Sequence, residues 1–269
     1  MNRPALHVAG AEPSGLQGVG RAFDVLELLA DGPMTATDVV NELGIKWATA
    51  HRTLSFLVER GYLERDGQTG SYSVGPRAYS VGGAYVTNLP LMRGARAHLA
   101  AAMDATGATV QLVRRDRHQS VVLSVLEPRT DFVPHTSVGF NFPLNVSSKG
   151  HVLLAWAPAA VVEAFLSQPL PALTAHSITD PDRLRRTLQV VRERGYGMSA
   201  RDTRLFSASV SAPIYQRSGD VDACVTLVVP AADIRANLAT LVDTVTKTAE
   251  AVSTTLGWSP SLRAPPRVT

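Results

Sequence analysis

The chain has one cysteine, no long apolar run and no familiar catalytic signature, and each absence removes a class of protein. A single cysteine in 269 residues excludes an intramolecular disulfide framework. Cys224 lies in the apolar run 221–229, where a thiol reads as a small buried hydrophobe. No Cys/His set has zinc spacing, so no metal or cofactor is expected. No apolar stretch approaches the ~20 residues of a membrane helix. Residues 1–20 lack the basic-then-apolar order of a secretory signal, and a cytoplasmic protein without a membrane partner is expected. There is no Gly-x-Ser-x-Gly nucleophile elbow, and residues 15–20 lack the strand and glycine spacing of a dinucleotide loop. Asp131, His135 and Ser147 have the residue types of a triad, but their spacing does not unite them, and no catalytic residue is expected. Nothing repeats internally, and both tails, 1–14 and 259–269, read as disordered.

The charge balance is a second negative finding. The formal net charge is +3, which invites a nucleic-acid reading. Residues 1–90 nevertheless hold 7 Lys+Arg against 9 Asp+Glu, formally −2, and the remainder holds 19 against 14, formally +5. Any attraction to DNA in the first third must therefore be local, from Lys46, His51, Arg52, Arg60 and Arg65, with help from helix N-termini.

What is present is most informative between residues 35 and 74. Thr35 and Asp38 have the spacing of a capping box. Val39, Val40 and Leu43 line one face of a short helix, and Gly44 supplies a turn. A second helix over about 47–59 puts Ala50, Leu54, Leu57 and Val58 on one stripe. Arg52, Ser55 and Glu59 face the other way, flanked by Thr49 and His51, and Gly61 suits the left-handed position that ends a helix. Alternating residues 62–65 and 71–74 around a glycine-containing turn read as a hairpin. Helix, turn, helix and hairpin outline a winged helix-turn-helix, the arrangement that presents a recognition helix to DNA. A preceding helix carries Val19, Ala22, Phe23, Leu26 and Leu29 at helical spacing.

Gly75-Pro76 ends the hairpin and can open a linker helix to about residue 88, before Leu89-Pro90 interrupts. The second domain alternates helices (91–106, 149–156, 159–166, 181–194, 232–256) with strands (109–114, 120–127, 132–136, 207–214, 221–229). That pattern predicts an α+β domain with a mostly antiparallel sheet. The expected organisation is a tail 1–14, a winged helix-turn-helix DNA-binding domain 15–75, a linker helix 76–89, a ligand-binding domain 90–258 and a tail 259–269.

Across about residues 15–258 the chain resembles the IclR family of bacterial transcriptional regulators. The carrying segments are Gly20-Arg21-Ala22-Phe23-Asp24-Val25-Leu26, Leu43-Gly44-Ile45, Thr49-Ala50-His51-Arg52 and Leu57-Val58-Glu59-Arg60-Gly61-Tyr62-Leu63. They continue as Tyr72-Ser73-Val74-Gly75-Pro76-Arg77, Gly150-His151-Val152-Leu153-Leu154-Ala155, Arg192-Glu193-Arg194-Gly195-Tyr196 and Val210-Ser211-Ala212-Pro213. The resemblance implies a homodimer or dimer of dimers, an N-terminal winged helix that binds double-stranded operator DNA, and a GAF-like C-terminal domain that binds a small effector and controls a catabolic operon. Ala78, Val81, Ala84 and Tyr85 make the linker helix a candidate subunit contact.

Departures from the family pattern bear on the candidate sites. Where the family usually begins its recognition helix with Pro and a basic residue, this chain has Lys46 and Trp47, and Ala48 replaces a common Ser. Trp47 either packs against the first helix or meets a base; His51 either reaches DNA or packs beside the helix core. Thr49, Arg52 and Ser55 are the expected DNA contacts, joined by Arg65, Gln68 and Thr69 of the wing. Ser147, Ser148, Lys149 and Gly150 open an apolar helix, and hydroxyls, backbone N–H groups and the helix dipole together offer a seat for a carboxylate. Plain N-capping is the alternative for the serines, and Lys149 either adds charge or points to solvent. The resemblance assigns this loop to the effector pocket, together with Ser199, Ser209, Thr226 and Val228. The family often has an acid, Cys, Ser and Ser there. Loss of the acid and of one hydroxyl favours an anionic ligand with an apolar body, an aromatic or branched organic acid. The competing readings are a ligand-independent DNA binder and, further off, an enzyme acting on such an acid.

Overall fold

The structure, a computed structural model, describes residues 16–130, 132, 134 and 136–259. Both tails expected to be disordered fall outside these residues, Ser259 excepted, as do Asp131 and His135. Contacts divide the chain between Asn88 and Leu89.

The first unit contains α1 (Gln17–Leu29), α2 (Ala36–Leu43), α3 (Trp47–Glu59), β1 (Leu63–Arg65), β2 (Tyr72–Val74) and α4 (Pro76–Asn88). The capping box forms: Asp38 N donates to Thr35 Oγ1 at 3.3 Å, and Thr35 N donates to Asp38 Oδ2 at 2.8 Å. Gly44 (φ 61°) and Gly61 (φ 74°) take the left-handed conformation that turns the chain after α2 and α3. Val25, Leu29, Val39, Ala50, Leu54 and Leu57 form the core, which Leu63 and Tyr72 of the hairpin close. The hairpin is antiparallel with Leu63 opposite Val74 and Arg65 opposite Tyr72.

Of the five apolar residues spaced along α1, Ala22, Leu26 and Leu29 pack on the core, and two do not. Val25 and Leu29 point inward, while Val19 and Phe23 are 53% and 59% exposed. Apolar residues on α1 cover more than one helical stripe, so periodicity alone leaves the inward face undecided. No residue of α4 is buried, and Tyr79 is 83% exposed.

The second unit contains α5 (Pro90–Thr106), β3 (Thr109–Asp116), β4 (Gln119–Leu126), β5 (Asn141–Pro143), α6 (Ser147–Ala155), α7 (Ala159–Leu166), α8 (Pro181–Arg194), β6 (Gly197–Ala200), β7 (Ser207–Tyr215), β8 (Val221–Pro230) and α9 (Ile234–Thr255). The six strands run β5-β4-β3-β8-β7-β6, every neighbouring pair antiparallel. The fold is thus α+β, as expected. Helices α5 and α9 cover one face of the sheet, and α6 with α7 and α8 covers the other.

Because side chains alternate along a strand, each central strand contributes two different sets. Ala208, Val210, Ala212 and Ile214 of β7 and Ala223, Val225, Leu227 and Val229 of β8 pack under α5 and α9. The intervening positions, Ser207, Ser209 and Ser211 on β7 and Cys224, Thr226 and Val228 on β8, alternate to the α6 side. This second set is small and polar yet fully enclosed.

Two strands escaped the sequence reading. Residues 132, 134 and 136 are not in a strand; the edge is instead the three-residue β5, too short for a periodic signal. Strand β6 is only four residues long and begins with Gly197, which has weak strand propensity. Helix α6 starts at Ser147, two residues earlier than expected. Among the described residues no helix is long and apolar enough to cross a membrane.

Leu54, fully buried among α1, α2 and α3, anchors the small first core. Leu54→Ala is expected to cost about 2–5 kcal/mol. A unit this small has little margin, so chemical denaturation should show its transition shifted strongly or lost, while that of the second unit stays in place.

Candidate functional site

Two surfaces gather the candidate residues, one in each unit. On the first, α3 turns its apolar stripe inward and leaves Trp47, Ala48, His51, Arg52, Ser55, Phe56 and Glu59 around a shallow open groove. Trp47 is 58% exposed and stacks on His51, ring centroids 5.0 Å apart and planes 21° from parallel. Of the two readings left open for Trp47, packing in the core is therefore not the arrangement observed. The i, i+4 spacing of Trp47 and His51 explains the stack, and it fixes an aromatic plate on the first two turns of the exposed face. Lys46, at the N-cap, is exposed, and Thr49 is half-buried beside them. Phe56, which the sequence reading left out, is 49% exposed, with the Arg60 guanidinium 5.0 Å from its ring centroid.

At the wing, Arg65, Gln68 and Thr69 are all exposed. Asp66 Oδ1 accepts from the N–H groups of Gln68 (2.7 Å) and Thr69 (3.3 Å), which hold its carboxyl below the usual range and shape the tip. The Arg65 guanidinium lies 5.7 Å from the Tyr72 ring centroid.

In the second unit, the loop 201–206 and the N-terminus of α6 close over the polar face of the sheet. The cavity they enclose holds about 20 Å³, room for roughly one water. Ser147, Lys149, Ser199, Ser209 and Val228 line it. Ser148, Gly150 and Thr226 stand behind this wall. A Cβ on Gly150 would lie 2.6 Å from Leu144 O, so glycine there answers to backbone packing. Gln111, Phe142, Asp202 and Arg204 also line the cavity, and the sequence reading missed them. Gln111 was findable as the polar residue inside the apolar run of β3. Phe142 and Asp202 belong to β5 and to the loop after β6, elements with no legible pattern.

The carboxylate seat at the start of α6 already holds a carboxylate. Asp202 Oδ2 accepts from Ser147 N at 2.6 Å, and Ser199 Oγ accepts from Ser148 N at 2.9 Å. Ser147 adopts φ 67°, uncommon for a residue with a Cβ; the bond to Asp202 secures it there. An acid thus remains in the site, three residues beyond Ser199. Plain N-capping, the alternative for the serines, is not what they do: the N-cap residue is Val146, and their hydroxyls turn to the sheet. Ser148 Oγ donates to Ser209 Oγ at 2.7 Å and lies 2.7 Å from Ser211 Oγ, which is 2.8 Å from Thr226 Oγ1. Ser199 and Ser147 approach Ser209 Oγ at 3.2 and 3.3 Å. Buried hydroxyls need partners, and these supply one another.

Lys149 points inward, 4% exposed. Its Nζ donates to Gln111 Oε1 at 3.0 Å and lies 4.0 Å from the Phe142 ring centroid. Burial pushes its pKa down to about 8, partly opposed by the more distant Cys224 and Asp202. Burial likewise lowers His151, whose Nε2 donates to Asn145 O at 3.0 Å. Burial pushes the Cys224 thiol up to about 12, so it is neutral at ordinary pH. Among the described residues no group of three His, Cys, Asp or Glu side chains could hold a metal ion.

A winged helix with an exposed aromatic and cationic face, on one chain with an enclosed polar cavity in a separate α+β domain, defines a transcriptional regulator with a DNA-binding part and a ligand-binding part. Comparison with known proteins narrows the class. Residues 18–67 match the IclR helix-turn-helix domain, and residues 83–254 match the bacterial transcriptional regulator IclR C-terminal domain. The HTH-type transcriptional regulator BhcR of Paracoccus denitrificans is 31% identical over 217 residues, 80% of this chain and 78% of that protein. An IclR transcriptional regulator from Alicyclobacillus acidocaldarius superposes with a TM-score of 0.79 at 28% identity, covering 89% of this chain and 98% of its own. An IclR homolog from Microbacterium hydrocarbonoxydans complexed with 4-hydroxybenzoate gives 0.77 at 26% identity, covering 90% of this chain and 99% of its own. The chain belongs to the IclR family of bacterial transcriptional regulators.

The buried Lys149 ammonium has a measurable consequence. Its folded pKa lies below the ordinary 10.5, so the unfolded state binds more protons between pH 8 and 10.5. This group's penalty is fully present below pH 8 and fades as pH rises through that window. Lys149→Met is therefore expected to stabilise the protein at pH 7 by about 1–3 kcal/mol, net of the hydrogen bond lost to Gln111. Denaturant unfolding of both proteins from pH 7 to 10.5 should show the gap closing; a constant gap would contradict the assignment.

Proposed function

We propose that the protein is a ligand-responsive transcriptional regulator that binds operator DNA through α3 and the wing and senses a small aromatic or branched organic acid in its C-terminal domain, so controlling a catabolic operon. In this reading residues 15–75 bind DNA, 76–89 link, and 90–258 bind the effector. The observation that carries the DNA half is the exposed row Trp47, His51, Arg52 and Ser55 on the helix that a winged helix-turn-helix offers to the major groove. Trp47 and His51 form a flat apolar plate suited to a thymine methyl or sugar edge, and Arg52 provides a fork of donors for guanine or phosphate. The wing residues Arg65, Gln68 and Thr69 reach the adjoining backbone.

The organic-acid half rests on a cavity that combines a buried cation, hydroxyls and apolar surface from Phe142 and Val228. The Microbacterium relative complexed with 4-hydroxybenzoate makes aromatic acids the natural probes. A cavity of about 20 Å³ is far smaller than such a ligand. Binding must displace the lining, which ties occupancy to a change of conformation. Exposed Tyr79 and Val81 on α4, with Val19 and Phe23 on α1, support a homodimer formed through the first unit; pairing of dimers is the larger assembly this family allows.

Fluorescence anisotropy with DNA from upstream of the protein's own gene tests the reading. Wild type should bind that DNA selectively over unrelated DNA, and Arg52→Ala should weaken binding roughly 10- to 100-fold. An aromatic carboxylate should alter the wild-type affinity. Equal, salt-sensitive binding to both DNAs, indifferent to Arg52, would reduce the interaction to nonspecific phosphate attraction.

A further inference from the structure

Two side chains in the C-terminal cavity keep bonding capacity that the described residues leave unused. Gln111 is fully buried; its Oε1 accepts from Lys149, while its Nε2 has no hydrogen-bond partner among the described residues. Lys149 has three donors, and Gln111 Oε1 is its only hydrogen-bond partner among the described residues. No carboxylate among those residues stands within ion-pairing distance of Nζ. Asp202 attracts it from farther away, but Oδ2 of that carboxylate is committed to the Ser147 N–H. The other titratable neighbours supply no counter-charge: Cys224 is held as a thiol and His151 as a neutral ring, and the Arg204 guanidinium is a like charge.

An ammonium without a counter-ion and an amide N–H without an acceptor are each costly to bury. Both are donors, both line one cavity, and both lack the same thing, an anionic acceptor. Phe142, beside Nζ, and Val228 offer apolar contact to whatever carries that anion. The seat at the start of α6 is filled by Asp202.

We infer that the effector's carboxylate is bound by Lys149 Nζ and Gln111 Nε2, on the β3 side of the cavity, and not at the α6 N-terminus. This deepens the organic-acid reading above and rests on it. It narrows the ligand to a monocarboxylate with a compact apolar body, because a second carboxylate would meet Asp202. The geometry also makes effector binding take up a proton. The free ammonium is about half deprotonated near pH 8, and a bound anion holds it charged.

Isothermal titration calorimetry on the full chain tests this. The probes are benzoate, 4-hydroxybenzoate, phenylacetate and isobutyrate, with their amides and with phthalate. The proteins are wild type, Lys149→Met and Gln111→Leu, each checked for folding by circular dichroism. At least one monocarboxylate is expected to bind wild type, more tightly than its amide or phthalate does. Lys149→Met should weaken it at least tenfold, and Gln111→Leu several-fold. Wild-type affinity should fall towards tenfold per pH unit above pH 8, and titration at pH 8 in buffers of different ionisation heat should register proton uptake. A carboxylate that binds Lys149→Met as well as wild type, with no pH dependence, would overturn the Lys149 anchor and leave the organic-acid reading standing. Binding of the amides alone, or of none of the panel, would overturn both.

Discussion

The second domain depends on a sheet covered on both faces. A strand with two covered faces cannot send its polar side chains to water, so every polar residue at the alternate positions must find a partner inside. On β7 and β8 one set of positions is wholly apolar and packs under α5 and α9. The other carries Ser207, Ser209, Ser211 and Thr226, whose hydroxyls cannot be left bare. Short hydroxyl-bearing residues at the start of α6 meet them, and the Ser148–Ser209–Ser211–Thr226 chain of contacts locks helix to sheet. The same interaction that satisfies the fold gives the cavity its polar wall.

Charge in that wall is arranged with one conspicuous asymmetry. Asp202 is well provided for, with a backbone donor and the positive end of α6. Lys149 is not: among the described residues its close contacts are one amide oxygen and an aromatic face. Natural proteins tolerate such a penalty where a function uses it, and the anion site proposed above is such a use.

The first unit works from the opposite constraint. Its core is small, built from three helices and closed by Leu63 and Tyr72, and every inward position is taken. What remains on α3 faces outward, and Lys46 and Trp47 stand where, by the resemblance, this family usually has proline and a basic residue. The exposed apolar residues of α1 and α4 are the surface on which the proposed homodimer rests.

Much of this was legible in the residues themselves. The capping box at Thr35, the turns at Gly44 and Gly61, the hairpin, and the bounds of α7 and α8 follow from local chemistry that acts within a few residues. So does the choice of Lys46, Trp47, Ala48, Thr49, His51, Arg52, Ser55 and the wing tip as candidate DNA contacts, because an amphipathic helix declares its outer face. Periodicity also placed Ser209, Thr226 and Val228 on strands. It could not choose the inward face of α1, where apolar residues cover two stripes, nor detect β5 and β6, which are too short to carry a period. Above all, local chemistry could not reveal that Asp202 fills the anion seat at α6 or that Lys149 turns inward to Gln111. Those pairs are 55 and 38 residues apart in the chain, and only the antiparallel order β3-β8-β7-β6 brings them to one cavity. The sequence by itself determined the family and every element long enough to carry a period. The tertiary structure decided which charges are satisfied and which are left waiting, because solvation and pairing depend on neighbours that only folding supplies.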